Sequence, residues 1–577
     1  MKRYRSSASA HRTLVRGLAL ALALALAGCS SIPRSGPVGT IAAQEDESAV
    51  EAPVFSPQGP RAGAAPEELL PAFITAGTGA ADGYEAAREF LTEDLAAAWQ
   101  PEDRIIIFRT DPRIVETSTD GVFQIQLEVV GSINAQGIRS TPPVPATETI
   151  RAEMVQENGQ WRISAIPDGI MVTETNISEL ARPHNLYFYA SNYRYWVPDS
   201  RWFVRRPGVT ARIVQSMLAG PAPYLKGAVT SAFPEGVTLG RESVPITSGI
   251  ASVELSSEAL QDATSLRLQQ MQQQLEVNLT SLNNVTAVEM TAGQRIELGE
   301  PDPDLLIPVA DPPAGPAQVV LVDNEIQLFE EPGLSAVDGL PSVAAFDPHE
   351  PAMSPGGSSF AFLNGQQSEL FATAPGSEVR SVISGAELTA PSFDQNNWAW
   401  TWSSSWVGSG PQILAIPPGG VQANAVTVAA PWLAGRRVTE LRISRDGARA
   451  LLVVTDGTKT QVLVAGITRS GEDIPQTLVS PLVLDGGTGI AAAVWAGEDS
   501  VLVSGISAKE ILTPTLLGLD GAKEPLAARR GILNISAGSD PAEDLFIQTS
   551  EGLLRRVGSS WIEVLGSEKV RDPAYPG

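Results

Sequence analysis

The pattern of apolar and polar positions changes character several times along the 577 residues. From about Gly17 to Ala27 the chain is continuously apolar ("GLALALALALA"), behind Lys2, Arg3, Arg5, Arg12 and Arg16 and no acidic residue. A bilayer-spanning helix needs about 20 apolar residues, whereas an export signal needs about 7–15 after a basic start. Residues 1–28 therefore read as an export signal. Residues 29–68 are rich in Pro, Gly, Ala and acid and hold too few large apolar groups to fold. They are expected to form a tether with a reach of about 35 Å.

Residues 69–179 then alternate in two rhythms. In "GYEAAREFLTEDLAAAW" the residues Tyr84, Ala87, Leu91 and Leu95 recur three or four apart and predict one helix face. "RIIIF", "VFQIQLEVV", "RAEMVQ" and "QWRISAI" predict strands, the last two joined by a turn at Asn158-Gly159. A small α+β domain is expected. Residues 183–299 predict a second one. "GVTARIVQSMLAGP" suggests a helix capped by Thr210 and stopped at Gly220-Pro221. A longer helix near Ala263–Leu282 carries the stripe Leu268, Met271, Leu275, Leu279 and Leu282, between the strand pairs "SVPITSGIASVEL" and "VTAVEMTAGQRIEL".

Residues 300–314 are a proline-rich linker. From 315 to 577 short β-rich runs alternate with turn signals such as Asn364-Gly365, Asp456-Gly457 and Glu551-Gly552. A degenerate echo, "MSPGGSSFAF" from Met353, "PSFDQNNWAW" from Pro391, "ISRDGARALLVV" from Ile443 and "WAGEDSVLV" from Trp495, places a turn before an inner strand. Its spacing of about 38–52 residues is near the period of propeller blades. The fold class is thus multidomain: two small α+β domains followed by an all-β propeller of five to seven blades.

Charge narrows the function. The formal net charge is -25, and removal of the five leader cations leaves -30. Such a surface repels nucleic acid and anionic lipid, so no nucleic-acid partner is expected and membrane retention has to come from acyl chains. Cys29 is the single cysteine, and only His184 and His349 lie beyond residue 28. A Cys nucleophile, a Cys-rich zinc site and a disulfide framework are excluded. No nucleophile elbow, His-Glu-x-x-His helix, phosphate loop or EF-hand spacing is present, and neither metal nor cofactor is called for. His349, in "FDPHEP", reads as a loop residue, and His184 as a domain-boundary residue. Among 65 acids, carboxylate pairs that could serve a glycosidase are inevitable. Trp398, Trp400 and Trp402 alternate along one strand, so one face carries all three. They suit either blade packing or a sugar-binding platform. "YFYASNYRYWVPDSRWFVRRP" suits either a strand pair packed under helices or a patch that meets a partner.

Leu26, Ala27 and Gly28 before Cys29 resemble the lipobox of bacterial lipoproteins. That resemblance implies cleavage after Gly28 and an N-palmitoyl, S-diacylglycerol cysteine at Cys29, which gives the lone thiol of an exported chain its use. "SIPRSGPV" after the cysteine and a domain ending "NGQWRISAIPDGI" resemble the actinobacterial LpqB lipoprotein family. "MLAGP" and "FPEGV" resemble the GerMN domain found in that family. The resemblance implies a cell-membrane lipoprotein on the extracytoplasmic face. It further implies a non-enzymatic accessory of the MtrA/MtrB two-component system that contacts the extracytoplasmic domain of an MtrB-like sensor kinase and affects cell-wall homeostasis and division. The alternative is a cell-wall glycan binder or hydrolase, with a wall polymer as partner.

Overall fold

The computed structural model describes residues 57–577 except 81–82, 143–144, 262, 472, 486–488 and 567–569. The first domain is a mixed sheet in the order 160–165, 146–157, 122–134, 104–108, 170–173, parallel only at the last pair. Asn158 and Gly159 both take positive φ (52° and 75°), the tight hairpin turn their identities favour. The helix Pro66–Ala76 covers the sheet through Leu69, Leu70, Phe73 and Ile74. It begins inside the stretch read as tether, and its proline in the first turn loses no helical hydrogen bond. The single helix expected across Tyr84 to Trp99 is instead two short ones, Glu85–Arg88 and Glu93–Ala98. Leu91 bridges to Ile163, and the Thr92 amide donates to the Ile163 carbonyl at 2.9 Å, so pairing with the sheet interrupts the helix.

In the second domain the strands Ala181–Ala190 and Trp196–Val204 pair antiparallel, and Ile250–Glu254 pairs parallel with Ala287–Ala292 across the helix Ser265–Leu279. Thr264 caps that helix by accepting from the Arg267 amide. Met271, Leu275 and Leu279 are fully buried, each contributing about 1.5–3 kcal/mol; Leu268 and Leu282 lie half-buried at the stripe's ends. Gln274 and Asn278 are buried beside them and serve the strand edge: the Tyr187 amide donates to Asn278 Oδ1, and the Ala232 amide to Gln274 Oε1. The other helix, Val209–Leu218, is capped by Gly208 at φ 85°, and Thr210 lies buried within its first turn. The aromatic stretch packs inward: Tyr189 and Trp196 lie 4.1 Å apart, and the Tyr189 hydroxyl donates to the Gln270 carbonyl.

From Gln318 the described residues form six blades. Their innermost strands are Arg571–Ala574 for blade 1, then Pro348–Met353, Ser392–Phe393, Arg437–Ile443, Ala492–Trp495 and Ile532–Ala537 for blades 2 to 6. Arg571–Ala574 pairs with Gln318–Val322, so the last strand of the chain completes the first blade and closes the ring. The repeated echo marks the turn after the innermost strands of blades 2 to 5, where Asp394 and Asp446 bind amides two residues on.

The three folded parts interlock. The second domain rests on turns of blades 3 to 5: Tyr187 donates to Glu498, Asn185 to Asp499 and Tyr195 to Gln395. Gly466 admits this approach, since a Cβ there would stand 2.6 Å from the Tyr224 carbonyl. The proline-rich linker is pinned, with Val309 bonded to Arg194 and Trp196, and Ala314 to Ser539. A hairpin of the first domain reaches the same seam, where Arg201 pairs with Asp199 in the interior and donates to the Gln136 carbonyl.

Candidate functional site

With blades 3 to 5 covered at one end, the opposite end of the propeller axis presents a cluster of titratable groups. Two innermost strands bulge there. The pairing of Pro348–Met353 slips between His349 and Ala352, and that of Arg571–Ala574 with blade 1 shifts between Val319 and Leu321. Glu350 (φ 47°) and Asp572 (φ 54°) take the left-handed conformation, at about 1–2 kcal/mol each for a non-glycine residue. The Glu350 amide donates to Asp572 Oδ2 at 3.3 Å, and the Asp572 amide donates to Gln548 Oε1 at 2.8 Å.

Burial pushes the Glu350 carboxyl up to about 8, reinforced by the charges of Asp572 and Glu440 and opposed by Arg442 and Asn534. Glu350 therefore carries a proton at neutral pH. Glu440 is also raised by burial, against the pull of Arg442, whose Nε lies 2.7 Å away. At the rim Arg571 donates to Asn324 and faces His349 Nδ1 at 3.3 Å. A guanidinium can only donate, so Nδ1 accepts, and the proton of the neutral ring sits on Nε2, 3.7 Å from Asp347 Oδ1. The arrangement can hold and release a proton and offers carboxylates to cationic groups. Among the described residues no group of three or more His, Cys, Asp and Glu side chains could hold a metal ion.

A second concavity, of about 1050 Å³, opens where all three folded parts meet, with Gln136, Arg212, Pro221, Lys226, Trp432 and Leu478 on its walls.

The tryptophan strand is no platform. Trp400 is 0% and Trp402 3% exposed, in the core between blades 3 and 4, and Trp398 packs half-buried against them. The Trp400 indole donates to Asp394, and Arg469 lies over its ring. His349, read as a loop residue, is in an innermost strand, and His184 is held in a strand of the second domain with Nε2 3.0 Å from the Asn278 carbonyl. Leu26, Ala27, Gly28 and Cys29 lie outside the described residues. Glu350 and Asp572 escaped sequence reading; "FDPHEP" and "VRDPAYP" share an acid next to a bulge and a proline, and only the ring closure brings them together.

Comparison with known proteins agrees with this architecture. Family models described as "Lipoprotein LpqB, N-terminal domain", "Sporulation and spore germination" and "Lipoprotein LpqB beta-propeller domain" match residues 59–178, 185–295 and 327–576. Lipoprotein LpqB of Thermobifida fusca (strain YX) is 26% identical, over 88% of this chain and 90% of that one. The chain belongs to the LpqB lipoprotein family. Lipoprotein LpqB of Streptomyces avermitilis is 25% identical over 96% of this chain and 97% of that one. Among solved structures, TolB from Acinetobacter baumannii is similar at 15% identity and a TM-score of 0.32, covering 45% of this chain and 66% of that one. No helix of the described residues is long and apolar enough to cross a membrane.

Proposed function

We propose that this member of the LpqB family is an accessory protein of the cell envelope. Cys29 carries the lipid that retains it at the extracytoplasmic face of the cell membrane, and its folded body binds the extracytoplasmic domain of an MtrB-like sensor kinase. The observation that carries the reading is the interlocking of three modules into one body with an uncovered propeller face. Such a body suits the recognition of another protein better than the turnover of a small substrate. Exposed residues Asp323, Asp347 and Ser550 ring that face. Binding shifts the sensor between signalling states only to the extent that the body prefers one of them.

The test is retention of the sensor's purified outer domain by the full-length protein in detergent, against purified peptidoglycan as competitor. Retention of the sensor alone supports the proposal, and retention of peptidoglycan alone refutes it.

A second reading, a wall-glycan hydrolase, draws on one observation: a protonated Glu350 beside Asp572, the pairing of acid and carboxylate that glycoside cleavage requires. Release of soluble fragments from peptidoglycan, lost in Glu350→Gln with binding intact, would favour it.

A further inference from the structure

Deeper in the channel, toward the end where the linker crosses, the innermost strands of blades 4, 5, 6 and 1 and the residues that follow them line a half-open cavity of about 40 Å³. One water occupies roughly 10–15 Å³ by this measure, so the cavity has room for about three waters, or for one small ion with part of its hydration. Arg442, Arg445, Trp495, Ser536 and Tyr575 are on its walls.

The two arginines differ. Arg442 is balanced by Glu440 at 2.7 Å. Arg445 is only 9% exposed, and its Nη2 donates to the Ala537 carbonyl at 3.1 Å, while Nε and Nη1 have no hydrogen-bond partner. Asp446, its sequence neighbour, is committed to Arg449. Asp311 of the linker acts on Arg445 through space, along with Asp544, but no described carboxylate forms an ion pair with it. Arginine cannot shed its proton as a buried lysine does, so the charge must be met by a counter-charge and the two N–H groups by an acceptor.

We propose that this cavity binds a small monovalent inorganic anion, chloride under ordinary conditions, between Arg445 and the Tyr575 side; Ser536 on the same wall already donates to Gln318 Oε1 at 2.6 Å. The bound ion would tie blade 4 to the residues that follow the closing strand of blade 1, bracing the ring where it is sealed.

The test uses the full-length protein in detergent. At constant ionic strength, with chloride exchanged against the bulky monovalent methanesulfonate, the melting temperature should rise linearly with the logarithm of chloride above the dissociation constant. That slope should vanish in Arg445→Met and persist, weakened, in Arg445→Lys, which keeps the charge. A bromide-soaked crystal of the parent protein should show an anomalous peak within hydrogen-bonding reach of Arg445 Nε or Nη1, a result independent of whether either variant folds. Ordered water alone at that position, or a chloride slope unchanged in Arg445→Met, would overturn the proposal.

Discussion

Asp394 is the residue whose loss the propeller should feel most sharply. It is fully buried in the turn after the innermost strand of blade 3. Its Oδ1 accepts from the amides of Asn396 and Trp398, both at 2.9 Å, and its Oδ2 accepts from the Trp400 indole at 3.0 Å and from Arg469 Nη2 at 2.6 Å. Asp394→Asn keeps the shape and the two amide contacts, yet turns an NH₂ toward two donors and strands Arg469, whose side chain is 4% exposed. Breaking one partner of a buried ion pair costs about 3–5 kcal/mol, about a fifth or more of the 5–15 kcal/mol typical of a whole fold. Urea denaturation followed by tryptophan fluorescence reads this directly, because Trp400 and Trp402 are in the affected core. The double variant Asp394→Asn, Arg469→Met should recover a large part of the loss, since no unpaired charge remains. A single variant within about 0.5 kcal/mol of the parent would refute the assignment of Asp394 as an ionised hub.

Three further outcomes are expected. The Glu350 carboxyl is raised in the folded state from its ordinary 4.5 to about 8, so the folded chain holds an extra proton between these values. Its contribution to stability is therefore present below about pH 4.5 and is lost as pH rises toward 8; melting curves at about pH 5, 7 and 9 should show Glu350→Gln gaining on the parent as pH rises, and a constant difference would contradict the burial of that carboxyl. In Tyr187→Phe with Asn185→Ala, Glu498 loses the donor to Oε1 while its Oε2 already lacks a partner. Each vacated buried contact costs about 1–3 kcal/mol, and limited proteolysis within residues 300–314 should accelerate; an unchanged cleavage rate would mean the seam is held elsewhere. Cys29→Ala should leave an unlipidated chain with its leader uncut, as read by intact mass of the membrane fraction, and normal maturation with lipid would remove the anchor from the account.

The order of domains was legible because each segment repeats a period: three to four in Met271, Leu275 and Leu279, two in "VFQIQLEVV", and a blade-length echo from Met353 onward. Positions where tertiary pairing competes with local pattern were not. The Tyr84 to Trp99 helix breaks at Leu91 because Ile163, more than seventy residues away, captures its backbone. Thr210 has the chemistry of a cap, but Gly208 reaches the left-handed conformation at no steric cost. The tryptophan alternation identified one strand face correctly; which way that face points depends on blade 4, which the alternation does not encode. The acidic cluster was the least legible of all, since Glu350 and Asp572 meet only when the last strand closes the first blade.

Site-specific photocrosslinking in intact cells, with the crosslinker at Asp323 and Ser550 on the uncovered propeller face, identifies what that face touches. An extracytoplasmic domain of a sensor kinase should be captured from that face. Capture of wall glycan with no sensor kinase at either position would contradict it.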